Sequence, residues 1–186
     1  MKRSSFLMFP FVAAPLILEA NQINNERPKK GIKVDAKKDR FNDKKVFTIA
    51  GGANSDCKVS ASDTGGELFI MESVRNTKGG PRLHFHYKQD EWLYVIEGEY
   101  RAKVGEEIFN LKPGDSLFMP RKVPHQFRKL SDGPGRMIVA YQPAGKMEAF
   151  FQVISNGGSD KLTEEQNNKL ARDYGMQNVG PRSNDY

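Results

Sequence analysis

From Lys45 to about Ser155 the chain alternates short apolar runs with turn residues. "KVFTIA" stops at Gly51-Gly52, "ELFIMESV" stops at "RNTKGGP", and "EWLYVIEG" is followed closely by "EYRAKV". A Val104-Gly105 turn leads into "GEEIFNL", and Lys112-Pro113-Gly114 leads into "DSLFMPR". "HQFRKL" ends at "SDGPG", and "RMIVAYQP" closes the series. Runs of strand length, with turn signals and no helical period between them, predict an all-β antiparallel sandwich or barrel.

The flanks have another texture. Thr163 followed by Gln166 forms a capping-box pattern, and "EEQNNKLARDY" continues as a helix that Gly175 can stop. Leu170 and Tyr174 lie on one face of that helix, the face expected to pack on the barrel. The tail "NVGPRSNDY" carries no periodic signal. At the other end, Lys2 and Arg3 precede an apolar run from Phe6 to Leu18 interrupted by Pro10 and Pro15. That is the order of a secretory signal peptide, too short for a stable membrane span. The sequence thus divides into a signal-like segment (1–20), a basic arm or linker (21–44), the strand-rich domain (45–155), and a helix with its tail (156–186). The expected location is outside the cytoplasm, in the periplasm or secreted; a packed N-terminal segment on a cytoplasmic protein is the alternative.

Composition narrows the class. A chain of 186 residues that is 38% hydrophobic and 10% aromatic suits one globular domain. The net charge of +6 is local: Arg27 to Lys45 holds nine Lys/Arg against three Asp/Glu, and the remainder is balanced. A basic arm before a neutral domain is a solvated linker, and without a helix-turn-helix, zinc-finger or aromatic RNA-binding signature no nucleic-acid partner is expected. Cys57 is the only cysteine, so no internal disulfide can form.

Histidine placement carries the chemistry. The chain has three histidines, and all fall in two turn-bounded stretches, "GGPRLHFHYKQDEWLYVIEGEY" and "PGDSLFMPRKVPHQF". On a strand, His84 and His86 point one way and Phe85 the other. The turn "YKQD" can return Glu91 beside them, and His125 can join from a neighbouring strand. Imidazoles and a carboxylate that converge in this way make a first-row transition-metal site.

These two stretches resemble the motifs of the cupin superfamily. Gly79, His84, His86, Glu91 and Gly98 follow the first motif, with the leading glycine one residue nearer than usual. Gly114, Pro120 and His125 follow the second, with Lys122 where a glycine is expected and Lys129 in place of an asparagine. The resemblance implies a cupin jelly-roll β-barrel with a short C-terminal α-helix. It implies one divalent transition metal ion (Fe, Mn, Ni, Cu, Co or Zn) on His84, His86, Glu91 and His125.

Among cupins the chain resembles small single-domain proteins similar to quercetin 2,3-dioxygenase. That resemblance implies a dioxygenase acting on a small phenolic or enol-type substrate, with dioxygen as co-substrate and Glu91 as catalytic base. The alternatives are a non-catalytic small-molecule- or metal-binding cupin and a metal-dependent isomerase or lyase. Family habit also suggests a homodimer. Apolar residues beside the motifs, namely Leu93, Phe118, Met119, Phe127 and Met137, are the expected pocket lining, against the simpler reading that they are barrel core.

Overall fold

The computed structural model describes residues 27–41, 47–49, 52–158 and 162–181. The expected signal segment, residues 1–20, lies outside them. Among the described residues, no helix is long and apolar enough to cross a membrane.

Strands β1 (Phe47–Ile49), β2 (Ala53–Val59), β3 (Phe69–Arg75), β4 (His84–His86), β5 (Asp90–Glu97) and β6 (Tyr100–Val104) come first. Then follow β7 (Glu107–Leu111), β8 (Ser116–Met119), β9 (His125–Lys129) and β10 (Gly135–Gln142). Helices α1 (Met147–Val153) and α2 (Glu164–Asp173) precede the last strand, β11 (Met176–Asn178). Two antiparallel sheets result, ordered β1-β2-β3-β10-β5-β8 and β11-β4-β9-β6-β7. The all-β jelly roll with a short C-terminal helix is therefore the fold observed.

Period-two burial produces the core. On β5, Leu93 and Val95 are buried while Tyr94 and Ile96 are exposed. On β10, Met137, Val139 and Tyr141 point inward. Phe69 stacks on Tyr141 at 6.0 Å, and Phe151 of α1 tilts against both. Each such buried side chain contributes about 1.5–3 kcal/mol.

Three elements go beyond the sequence reading. Strand β2, "ANSDCKV", alternates as a strand should, but its inward residues are Ala53, Ser55 and Cys57. These are too small and too weakly apolar to stand out in a hydropathy pattern. Helix α1 is short and has no side-chain cap at its start, Lys146. Strand β11 occupies part of the tail that lacked a periodic signal, and its order comes from pairing with β4.

Helix α2 begins as expected: the Thr163 hydroxyl accepts from the Gln166 amide, and the Gln166 side chain accepts from the Thr163 amide. Leu170 packs against the core, and Tyr174 meets Phe150 at 5.8 Å. Gly175 follows the helix at φ +91, a conformation open to glycine without strain.

Among its described residues, 27–41, the basic arm is largely solvated, yet it docks around Asp39 and Arg40. The buried Asp39 carboxylate accepts from Cys57 N at 2.8 Å and Phe41 N at 2.9 Å. Arg40 closes a fork on Asp63, both contacts being 2.9 Å.

Candidate metal centre

The three-residue strand β4 is held from several sides. It pairs with β11 through Met176↔His86, Gln177↔Phe85 and Asn178↔His84, and with β9 through His84↔His125. The loop before it passes hard against β9, where a Cβ on Gly80 would lie 1.6 Å from Phe127 O. After His86 the chain turns through Gln89, which is buried against Gly145 and Gly175. Asp90 then opens β5 and takes three contacts from Arg121: N at 2.9 Å, Nε at 3.0 Å and Nη2 at 2.5 Å. Lys122 adopts φ +66, as suits the position where the motif has glycine, and its amide reaches His86 O at 2.8 Å. The loop that delivers His125 is thus tied to both other ligand-bearing strands.

His84, His86, Glu91 and His125 come together as the sequence suggested. One ligand atom from each lies within 4.8 Å of the others, and all four residues are buried. Glu91 Oε2 is 3.1 Å from His86 Nε2, 3.2 Å from His125 Nε2 and 4.0 Å from His84 Nε2.

Backbone carbonyls orient two of the imidazoles. His84 Nδ1 lies 2.7 Å from Arg82 O, and His125 Nδ1 lies 2.8 Å from Val123 O. A carbonyl only accepts, so each Nδ1 carries the proton, and in the neutral ring Nε2 keeps its lone pair aimed inward. A neutral His125 therefore opposes its lone pair to a carboxylate oxygen at 3.2 Å. A cation among these atoms removes the repulsion. His86 Nδ1 has no hydrogen-bond partner and fixes no tautomer.

The electrostatics agree. Burial pushes the His84 imidazole down to about 3, and His125 and His86 push it the same way. Burial alone would raise the Glu91 carboxyl, but the adjoining His125 and His86 side chains outweigh it and hold Glu91 well below the carboxylate range. Burial also raises the Tyr141 phenol well above its ordinary value, and the adjacent Glu91 charge and hydrogen bond add to the effect. Three imidazole nitrogens and an ionised carboxylate fit a divalent first-row transition ion, without choosing among iron, manganese, nickel, copper, cobalt and zinc.

A cavity of about 490 Å³ opens on this cluster, and His84 and Glu91 form part of its wall. Of the expected pocket residues, Phe127 lines it. Leu93, Met119 and Met137 do not line it; they are buried in the core at 0%, 0% and 2% exposure. Phe118 is 56% exposed, because the alternation on β8 that turns Met119 inward turns Phe118 out. The remaining wall includes Met71, Tyr141, Phe150 of α1 and Leu170 of α2. Proximity to the motifs does not find these residues. They are set by how β3, β10 and the two helices close over the barrel.

Residues 71–141 match the Cupin_2 family, the cupin domain. Over those residues the barrel matches a cupin domain. In sequence the chain is similar to the uncharacterized protein MJ1618 of Methanocaldococcus jannaschii, 31% identical over 74 residues, which are 40% of this chain and 59% of that protein. It is also similar to quercetin 2,3-dioxygenase of Bacillus subtilis, 27% identical over 112 residues, which are 60% of this chain and 33% of that enzyme. Among solved structures, an RmlC-like cupin from Shewanella frigidimarina superposes with a TM-score of 0.48 at 27% identity, over 56% of this chain and 87% of that one.

Proposed function

We propose that this cupin binds one divalent transition metal ion on His84, His86, Glu91 and His125 and acts as an oxygenase on a small phenolic or enol-type molecule. The observation that carries the reading is the position of Glu91, which belongs to the donor cluster and also to the cavity wall. When bound, the ion would polarise a coordinated oxygen and stabilise its anionic form.

The side chains supply the rest. His86 and His125 are fully buried behind the wall and hold the cluster from below. Glu91 faces the cavity as a carboxylate and can accept the proton of a substrate hydroxyl placed against it. Tyr141 orients that carboxylate through its phenol. Phe127, Phe150 and Met71 present apolar surface on which a ring can lie and from which water is excluded. The similarity to quercetin 2,3-dioxygenase supports the oxygenase class.

Elemental analysis of the untagged protein, followed by oxygen uptake on a panel of phenols and enols, tests this. About one transition metal per chain, lost in His86→Ala and largely kept in Glu91→Gln, is expected, with oxygen uptake lost in both. No metal after reconstitution overturns the centre. Metal without uptake on any member of the panel overturns the oxygenase class and leaves a binding cupin.

A further inference from the structure

The four donors do not come from one layer of the barrel. His84 and His86 lie on β4 and His125 on β9, neighbours in the second sheet, and the His84↔His125 pairing sets their imidazoles side by side. Glu91 is the donor from the first sheet, where its backbone pairs with Tyr141 of β10 and Met119 of β8. Packed sheets stand about 10 Å apart. Ligand distances at a metal are held to about 0.2 Å. The carboxylate therefore serves as a ligand only where the gap between the sheets is fixed.

Two chain segments cross between the sheets here. Residues 87–89 carry the chain from β4 to β5, and residues 120–124 carry it from β8 to β9. Asp90 and Arg121 join the two crossings. Asp90 Oδ1 accepts from Arg121 N at 2.9 Å and from Nε at 3.0 Å, and Oδ2 accepts from Nη2 at 2.5 Å. One of these is a main-chain contact, so the carboxylate holds the backbone of the second crossing as well as a side chain. The next residue, Lys122, donates its amide to His86 O at 2.8 Å. A path from the first sheet to the second thus runs through Asp90, Arg121, Lys122 and His86, and it starts one residue before Glu91. The side chains of Arg121 and Asp90 are 44% and 26% exposed, and an ion pair so accessible adds little to global stability. What its fork and main-chain contact add is position.

We propose that Asp90 and Arg121 are positioning residues for the metal centre: they staple the two crossings, fix the gap between the sheets, and so bring Glu91 within reach as the donor opposite the three imidazoles. This rests on the metal centre of the reading above and is independent of its oxygen chemistry. The histidines share a sheet and do not depend on the staple; Glu91 does.

Cobalt(II) titration of the untagged, metal-free chain, followed in the visible spectrum and against a competing chelator, tests this. Asp90→Ala removes all three contacts and is expected to weaken cobalt binding by about tenfold to a hundredfold, as changes beside metal ligands commonly do. Arg121→Met keeps the main-chain amide and should weaken it less. Arg121→Lys, whose ammonium cannot form the fork, should recover only part of that loss. Coupling separates this role from a general loss of stability. In the Glu91→Gln background, Asp90→Ala should change the affinity by less than about twofold, and the cobalt spectrum of Asp90→Ala alone should approach that of Glu91→Gln. A parent chain that takes up no cobalt overturns the centre itself and the staple with it. A parent that binds cobalt, beside an Asp90→Ala variant that binds it equally well, overturns the staple alone. So does a loss of the same size with and without Glu91, which marks a general disturbance of the fold. If Asp90→Ala does not fold, the same comparison with the exposed Arg121→Met decides.

Discussion

Tyr141 and Glu91 are direct cross-strand partners on β10 and β5, and the phenol meets the same carboxylate that His86 and His125 share. The Tyr141 ring also lies edge-on to His86, with centroids 5.5 Å apart. One tyrosine therefore braces two of the four metal-site residues. Tyr141→Phe keeps the ring and removes the hydroxyl donor. It should leave about one metal per chain by elemental analysis and cost roughly 1 kcal/mol in denaturant unfolding. Complete loss of metal would mean that the phenol does more than orient Glu91.

Lys122 carries a left-handed backbone, φ +66, beneath His86 O. For a residue with a Cβ this costs about 1–2 kcal/mol, against the roughly 0.5–1 kcal/mol of extra chain entropy that glycine loses on folding. Lys122→Gly should raise the thermal midpoint slightly, and Lys122→Val should lower it. A melting series of the three proteins checks the order.

Gly80 has no such freedom to give up. A side chain there would meet Phe127 O and Arg128 Cα, which are backbone atoms of the strand that carries His125. Gly80→Ala should displace β9, lower stability by more than 1 kcal/mol as strain and repacking costs commonly do, and weaken metal retention. Unchanged metal content and unfolding midpoint in this variant would contradict the close approach.

Glu72 lies between Lys58, at 3.3 Å, and Arg136, whose Nε is 3.1 Å away. Burial would raise its carboxyl, but Arg136 and Lys58 outweigh burial and hold it below the usual carboxylate range. A native value below the unfolded one means that the unfolded chain binds the proton first as pH falls. The stabilisation is complete above the ordinary carboxylate pKa and disappears as pH drops through the lowered native value. Glu72→Gln should therefore be less stable than the parent near neutrality, with the gap closing in acid. Unfolding curves across that range, with a gap that stays constant, would count against it.

The metal cluster was legible because its determinants are local. His84 and His86 share a face by strand period, and a short turn returns Glu91. His125 required a longer step, which the second turn-bounded motif supplied. The cavity was not legible, because its wall joins positions far apart in sequence. Arg75 lies at the end of a strand whose neighbours gave only a hydropathy signal, and Phe150 and Leu170 belong to helices that pack across the barrel. Strand β2 escaped because its core residues are small, and β11 because three residues acquire strand order only from a partner. The lysines at 122 and 129 marked departures from a motif without saying how the fold absorbs them. Lys122 takes the glycine-like conformation, and Lys129 is buried with Nζ on Ser131 O at 2.5 Å.

The pairing of β11 with β4 also imposes an order in time. The strand that bears two imidazoles is stitched to residues made much later, as the Tyr87–Gln177 side-chain contact across 90 positions illustrates. Ribosomes add about 5–20 residues per second, so several seconds pass between the emergence of His84 and that of its second strand neighbour. In that interval the first sheet can already form from β2, β3, β5, β8 and β10, while the imidazoles of β4 remain only partly enclosed. The four donors therefore reach their finished geometry late in the biogenesis of this barrel, after most of its core is in place.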